Sequence, residues 1–428
     1  MAGKLLRGRR APLAPPSFDY PAFLAAAWEQ HLAPHDPAAP TVVSTFAGAG
    51  GSSLGYSMAG FRELLAVEWD DNAVECFRLN FPGIPVYHGD INALTVEEVL
   101  RLTGLQPGEL DLFDGSPPCQ GFSTAGNRDF DDPRNQLFRQ YVRLLKGLQP
   151  RAFVMENVAG MVKGKMKLIF ADVLTELRGC GYRVEARVLN AACFGVPQSR
   201  MRMIFVGVRE DLGVEPSHPA AQTAPVALRD ALPELAAIQS GNPLFKCKVF
   251  PASGPSPTLM AHGAKEYAGV VVASRSQRIN PFIDASRPAA TIMKNSGGYE
   301  IRLAPVGIDG QPVLHPDPPA LAAKFAKLAP GIPIGGRANG SQSCARAPLD
   351  QPAHTLMKLN AGNGFGSPLH PYEHRSLSIP EAKRIGSFPD GFRLVGSFSD
   401  QWARIGNSVP PLLARAIGRH LREHILRR

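Results

Sequence analysis

Along the first half of the chain, short apolar runs alternate with longer stretches whose apolar positions recur every three or four residues. Between Thr41 and about Arg209 the runs TVVSTF, LLAVEW, PVYHGD, DLFDGS and AFVMENV read as strands, and the amphipathic stretches between them as helices. That alternation is the pattern of a wound α/β sheet. YRVEARVLN and MRMIFVGVR then follow each other across a short connection containing Gly195 and Pro197. Such a hairpin adds antiparallel strands to an otherwise parallel sheet.

Outside this region the pattern changes. Residues 1–40 are rich in Pro and Ala, predict one short helix around Phe23 to Leu32, and read as a terminal decoration with no chemistry of their own. From Glu210 to about His370 helical periodicity fades, and Gly, Pro, Ser and Asn become frequent among short strand-like runs. A weak, irregularly spaced repeat lies there: SGPSPTLMAHG from Ser253, SRPAATIMKNSGG from Ser286 and DQPAHTLMKLNAG from Asp350. Recurrent hairpin geometry or DNA-facing loops would both produce it. After Tyr372 helices return in IPEAKRIG and PPLLARAIGRHLREHIL, the latter with Leu413, Ile417, Leu421 and Ile425 on one stripe. These are expected to pack back on the first lobe. The organisation is therefore read as an extension (1–40), a first lobe (41–209), a second, smaller, β-rich and irregular domain (210–371) and a returning segment (372–428).

Composition narrows the function classes. A chain of 428 residues is long for a single core, and a net charge of +9 with a pI near 9.3 favours polyanionic partners without proving one. The longest apolar runs are too short to span a bilayer, and the basic N-terminus lacks the apolar stretch of a secretory signal, so a cytoplasmic protein is expected. The six cysteines are scattered, with no C-x-x-C pair, which predicts reduced thiols and no metal site.

Candidate chemistry clusters where strands end. The first strand runs into FAGAGGSSLG, a Gly-rich turn that lets the backbone approach a ligand before a helix starting near Ser52 or Ser53. Glu68 closes the second strand and Asp90 the third, positions from which carboxylates can hold an adenosine ligand, Glu68 through both ribose hydroxyls. A plain turn followed by strand-end acids would look the same. The fourth strand leads to PPCQGFS, where Cys119 sits in a polar loop behind two prolines that restrict the backbone. Packing explains a cysteine there poorly. The fifth strand delivers Glu156 and Asn157, and burial would keep the Glu156 carboxyl protonated as a general acid. In QSRMR, alternation puts Gln198, Arg200 and Arg202 on one face, suited to phosphate and carbonyl oxygens, although a solvated edge strand would look alike.

FAGAGG, VEW, GDI, PPCQ, ENV, QSRMR, RSLSIPEA and GNSVPP occur in this order, and through them the chain resembles the DNA (cytosine-5)-methyltransferases, over residues 41–210 and 372–428. The resemblance implies a class I S-adenosylmethionine-dependent methyltransferase fold, Rossmann-like and mostly parallel with an antiparallel hairpin, and a target recognition domain in the middle segment. It implies a cofactor pocket lined by Phe46, Gly48, Gly50, Leu54, Glu68, Trp69, Asp90, Ile91, Pro118 and Leu137, closed by Asn407, Ser408 and Val409. Trp69 would stack on the adenine, Glu68 hold the ribose and Asp90 contact the amino group of the base. Cys119 would add to carbon 6 of a flipped-out cytosine, Glu156 act at N3 and Arg202 bind O2. Arg200 and Ser123 would touch phosphates, with Gln120, Asn157 and Gln198 near the target base.

The implied product is S-adenosylhomocysteine, with no metal. The implied partner is double-stranded DNA bound by a monomer, with or without a separately encoded restriction endonuclease. One departure stands out: Gly386-Ser387 replaces the Gln-Gly that relatives often carry, which is expected to affect local packing and not catalysis. Two other readings share the scaffold: a tRNA cytosine-5 methyltransferase, and a DNA-binding relative without catalysis. A nicotinamide-dependent oxidoreductase would explain only the Gly-rich turn and Glu68.

Overall fold

A computed structural model describes residues 18–118, 136–162, 166–221, 224–233, 270–274, 299–303, 347, 350–358, 368–371 and 376–427. In chain order its elements are α1 (Tyr20–Leu32), β1 (Thr41–Thr45), α2 (Gly51–Met58), β2 (Arg62–Glu68), α3 (Asp71–Asn80), β3 (Val86–His88), α4 (Val96–Thr103), β4 (Leu112–Gly115), α5 (Gln136–Leu148) and β5 (Ala152–Val158). They continue with α6 (Met166–Arg178), β6 (Tyr182–Asn190), β7 (Gln198–Ser199), β8 (Met201–Arg209), α7 (Leu228–Ala231), β9 (Val270–Ser274) and β10 (Tyr299–Leu303). The last are β11 (Ala353–His354), α8 (Ile379–Ile385), α9 (Phe398–Asn407) and α10 (Pro411–His424).

The main sheet has the order β3-β2-β1-β4-β5-β8-β6. Pairs from β3 to β5 are parallel, whereas β5–β8 and β8–β6 are antiparallel, as the hairpin pattern predicts. Strand order reverses between β1 and β4, so a crevice opens at the carboxyl ends of those strands, where such sheets bind ligands.

Alternation along the strands feeds two cores. Val42, Leu112, Val154, Ile204 and Val206 point to one face, and Val43, Phe113, Phe153, Met155, Met203 and Phe205 to the other. The second face is covered by α4, α5 and α6. The first is covered by α1, α2 and the C-terminal helices. The helix expected around Phe23 to Leu32 is there, but it is not a decoration: Tyr20, Leu24 and Ala27 are buried in the first core. His31 of α1 also lies 2.7 Å from Ser57 Oγ and 3.0 Å from the Asn80 carbonyl.

The C-terminal segment returns to the first lobe through close backbone contact. A Cβ on Gly51 would lie 2.6 Å from the Val409 carbonyl, and one on Gly55 would collide with Pro411 and Ala414. Glycines one turn apart on α2 thus let the start of α10 settle directly on it. Polar clamps complete the return. Arg404 of α9 pairs with Asp70 at 2.9 Å, Asn72 donates to the Val395 carbonyl, and Asn80 exchanges hydrogen bonds with Arg393. Among the described residues no helix is long and apolar enough to cross a membrane.

Candidate active site

The loop after β1 alternates left-handed residues, Phe46 (φ 54°), Gly48 (φ 56°) and Gly50 (φ 96°), so successive amides turn toward the crevice. Gly50 is the N-cap residue of α2, and the helix begins at Gly51, slightly earlier than the sequence suggests. Opposite the loop, Glu68 ends β2. Its Oε2 accepts from Gly48 N at 2.8 Å, and its Oε1 from Trp69 N at 2.9 Å and Asp70 N at 3.0 Å. An ionised carboxylate offers about four lone-pair sites. Three are used by the backbone, which leaves room for one hydroxyl donor where sequence reasoning expected two. Trp69 beside it is 76% exposed, an apolar plate at the sheet edge with no packing reason to be there. Asp90 is exposed, and its Oδ1 accepts from Asn92.

The remaining expected pocket residues divide. Asn407 is exposed, while Ser408 and Val409 are half-buried and press on Gly51 at the start of α2. Pro118 is exposed at the end of the β4 loop, and Leu137 and Ile91 pack on the second core. Leu54 does not line a pocket: it is fully buried in the first core, because α2 turns that face toward the sheet. An adenosine ligand fits what remains. The exposed Trp69 ring, the residual acceptor of Glu68 and the left-handed glycine turn face one crevice, and a Cβ on Gly48 would meet nothing within 4 Å.

Across the switch point, β5 and β8 run antiparallel, pairing Glu156 with Ile204 and Val158 with Arg202. The register brings Arg202 Nε to 2.6 Å from Glu156 Oε1, both side chains about 15% exposed (16% and 14%). Glu156 is therefore held in an ion pair and not isolated among apolar groups, contrary to the expectation that burial alone governs it. Asn157 is buried; it donates from Nδ2 to the Pro117 carbonyl at 3.2 Å and accepts from Val158 N. It thus grips the backbone two residues before Cys119. Cys119, Gln120 and Ser123 lie outside the described residues.

Gln198 lies in β7, Arg200 between the strands and Arg202 in β8; the first two are buried and Arg202 is half-buried, while Ser199 and Met201 between them are exposed. Arg200 is buried, with Nη1 donating to the Leu356 carbonyl at 3.0 Å and Nη2 to the Gly406 carbonyl at 2.9 Å. Burial and the neighbouring Arg202 both work against its charge. Both terminal nitrogens are held by backbone carbonyls, and its buried Nε has no partner among the described residues. Gln198 is likewise buried, accepting from Leu356 N at 3.0 Å. Both residues brace the segment 350–358 against the first lobe. Part of the third repeat copy is thereby β11, which pairs in parallel with β7. The other two copies lie outside the described residues.

Sequence reasoning missed a polar layer beneath the loop. All eight residues of α2 are buried, yet it carries Ser52, Ser53, Tyr56 and Ser57. Tyr56 donates to Asp114 Oδ1 at 2.8 Å, Ser44 donates to Glu63 at 3.2 Å, and Ser53 donates to Ser44. Burial pushes Asp114 up to about 7 and Glu63 up to about 8. The signal was available: hydroxyl residues on every face of a short helix between a Gly-rich turn and a buried strand need internal partners.

Comparison with known proteins agrees with this geometry. A family model described as C-5 cytosine-specific DNA methylase matches residues 41–423. The Type II methyltransferase M.XorII of Xanthomonas oryzae is 33% identical over 89% of this chain and 84% of its own length. M1.HphI of Haemophilus parahaemolyticus is 32% identical over 88% and 85%, respectively. Among solved structures, a protein described as a DNA modification methyltransferase encoded within an E. coli prophage superposes with a TM-score of 0.61 at 25% identity, covering 91% of this chain and 99% of that one. DNMT2 of Spodoptera frugiperda shares the fold, with a TM-score of 0.53 at 16% identity over 88% of this chain and 98% of that one. The chain belongs to the C-5 cytosine-specific DNA methylases and is a DNA (cytosine-5)-methyltransferase, an enzyme whose methyl donor is S-adenosylmethionine.

Proposed function

We propose that the enzyme methylates a cytosine in a fixed duplex sequence through a covalent bond between Cys119 and carbon 6 of the base. The observation that carries this is the Glu156–Arg202 pair at the sheet edge, beside the Asn157 grip on the Pro117 carbonyl. A cytosine inside a duplex exposes neither ring carbon, so the base must leave the stack, at a cost of a few kcal/mol. Cys119 as thiolate then bonds to carbon 6, and carbon 5 gains enamine character. Glu156, once it has taken up a proton, hydrogen-bonds N3 as electron density moves there, and Arg202 donates to O2. S-adenosylmethionine supplies the electrophilic methyl group. Loss of the proton on carbon 5 reforms the ring double bond and expels the Cys119 sulfur.

Phe46, Gly48, Gly50, Glu68, Trp69, Asp90 and Asn407 are read as the residues that hold the cofactor, with Glu68 accepting one ribose hydroxyl. Gln198 and Arg200 are read as positioning residues. The region 210–371 is read as the part that reaches base edges, and 372–428 as the closure of the catalytic lobe. The Type II names of M.XorII and M1.HphI favour a separately encoded endonuclease of the same site specificity as partner.

The test is transfer of labelled methyl from S-adenosylmethionine to unmethylated genomic DNA, with 5-methylcytosine mapped at base resolution. The expected outcome is label in one sequence context, lost in Cys119→Ser while cofactor binding persists. Label that survives the substitution would remove Cys119 as nucleophile. Cofactor binding without labelled DNA would shift the substrate toward tRNA.

A further inference from the structure

At the far end of α2 from the glycine turn, α1, the end of α2 and α10 enclose a cavity of about 320 Å³. Arg415, Arg419 and Arg422 all line it, one turn apart along the same face of α10, together with Gln30, His35 and Ser57. Among the described residues that line the cavity the one carboxylate is Glu423, which lies 3.7 Å from Arg419. Arg422 is partly engaged, donating to the Ala59 carbonyl at 2.7 Å. The Arg415 guanidinium stacks 5.6 Å from the centre of the Phe23 ring, and its buried Nε has no hydrogen-bond partner among the described residues.

A buried guanidinium nitrogen without an acceptor is destabilising. Crowding three guanidiniums adds repulsion, and both burial and Arg419 work against the charge of Arg415. His35 beside them is held toward its neutral form by burial and by Arg62, and its Nε2 lies 3.0 Å from the Ser57 hydroxyl, which itself lies 2.7 Å from His31 Nδ1. An anion with several oxygens would balance the three charges, because planar forks bind tetrahedral oxyanions with two parallel hydrogen bonds each.

We propose that this cavity, with Arg415, Arg419 and Arg422 as its anion-binding groups, is a binding site for a small phosphate-bearing molecule, separate from the methyl-transfer site. Its volume suits a phosphate group with at most a nucleoside attached, and is far too small for a duplex. The occupant lies against the end of the helix whose start carries the cofactor loop.

The experiment uses the full chain with its cofactor pocket filled by saturating S-adenosylhomocysteine and two probes, inorganic phosphate and adenosine 5′-monophosphate, titrated against chloride at matched ionic strength. Thermal unfolding and calorimetry are the readouts. The expected result is a saturable rise in melting temperature with either probe but not with chloride. Tighter binding of the mononucleotide would identify a nucleotide as the occupant, and equal binding would identify free phosphate. Arg419→Gln, at a half-exposed side chain whose loss does not threaten folding, should weaken binding about tenfold. Glu423→Gln should tighten it by removing the competing carboxylate. Both variants should retain basal methyl transfer. The proposal is overturned if phosphate acts no differently from chloride, if Arg419→Gln binds as tightly as the parent, or if only duplex DNA protects the chain.

Discussion

Ser387 shows how a single backbone angle explains a departure in the sequence. Its φ of 63° lies in the left-handed region, where the Gly that relatives often carry costs nothing and a Cβ costs about 1 kcal/mol. The serine has a compensating role. Pro410 gives α10 no side-chain cap, and the fully buried Ser387 hydroxyl accepts from Leu412 N at 3.2 Å instead. The buried acids make a second residue-scale point, with a sign that can be worked out. Burial raises Glu63 to about 8 and Asp114 to about 7, against about 4 in an unfolded chain. The folded state therefore holds these protons after the unfolded state has lost them. The stability they contribute is complete below about pH 4 and falls until pH reaches the folded values, by about 1 kcal/mol per unit for each group. Thermal unfolding followed from pH 5 to 8 should show a declining midpoint. Glu63→Gln combined with Asp114→Asn should flatten it, and an undiminished decline in that double variant would contradict the assignment.

At the scale of elements, the contact between α2 and α10 is made by absence of side chains. A Cβ on Gly55 would meet Arg415 N at 2.7 Å and Ala414 Cβ at 2.5 Å, neither of them the end of a flexible side chain. Gly55→Ala should therefore lower stability by about 1–3 kcal/mol, through a forced shift of α10, despite the better helix propensity of alanine. A denaturant midpoint equal to that of the parent would show that the helices can separate freely. The strands were legible because period-two alternation is a local property, and each strand sends its odd and even residues to different cores. The role of α1 was not, because its worth lies in what Tyr20 and Leu24 touch far along the chain. Alternation likewise put Arg200 on the correct face. What covers that face, the carbonyls of Leu356 and Gly406, comes from residues more than 150 positions away, a separation no local pattern reports. The site divides in the same manner: Glu68, Trp69 and Asn157 sit where motif order implies, whereas Leu54 and the acid layer under α2 depended on packing.

At the scale of the whole molecule, the middle region departs from the first lobe and returns to it at neighbouring points. Leu228 N donates to the Gln351 carbonyl at 3.1 Å, and Ala353 N to the Pro197 carbonyl at 3.0 Å. Arg200 and Trp402 fasten the same returning stretch, the indole donating to the Met357 carbonyl at 3.0 Å. Exchanging residues 234–346 for the corresponding stretch of a relative such as M.XorII should therefore leave the unfolding midpoint of the catalytic lobe within a few degrees and redirect methylation to another sequence. Loss of cofactor binding in the chimera would show that the two parts fold as one. The stapled ends carry an evolutionary consequence. When both ends of a stretch are fixed side by side, the entropy of closing it grows only with the logarithm of its length, about 0.6 kcal/mol for each doubling. On the proposed reading, in which this region reaches base edges, replacement between the staples then costs folding little, so a lineage could try new target sequences while the chemistry that modifies them stays unchanged.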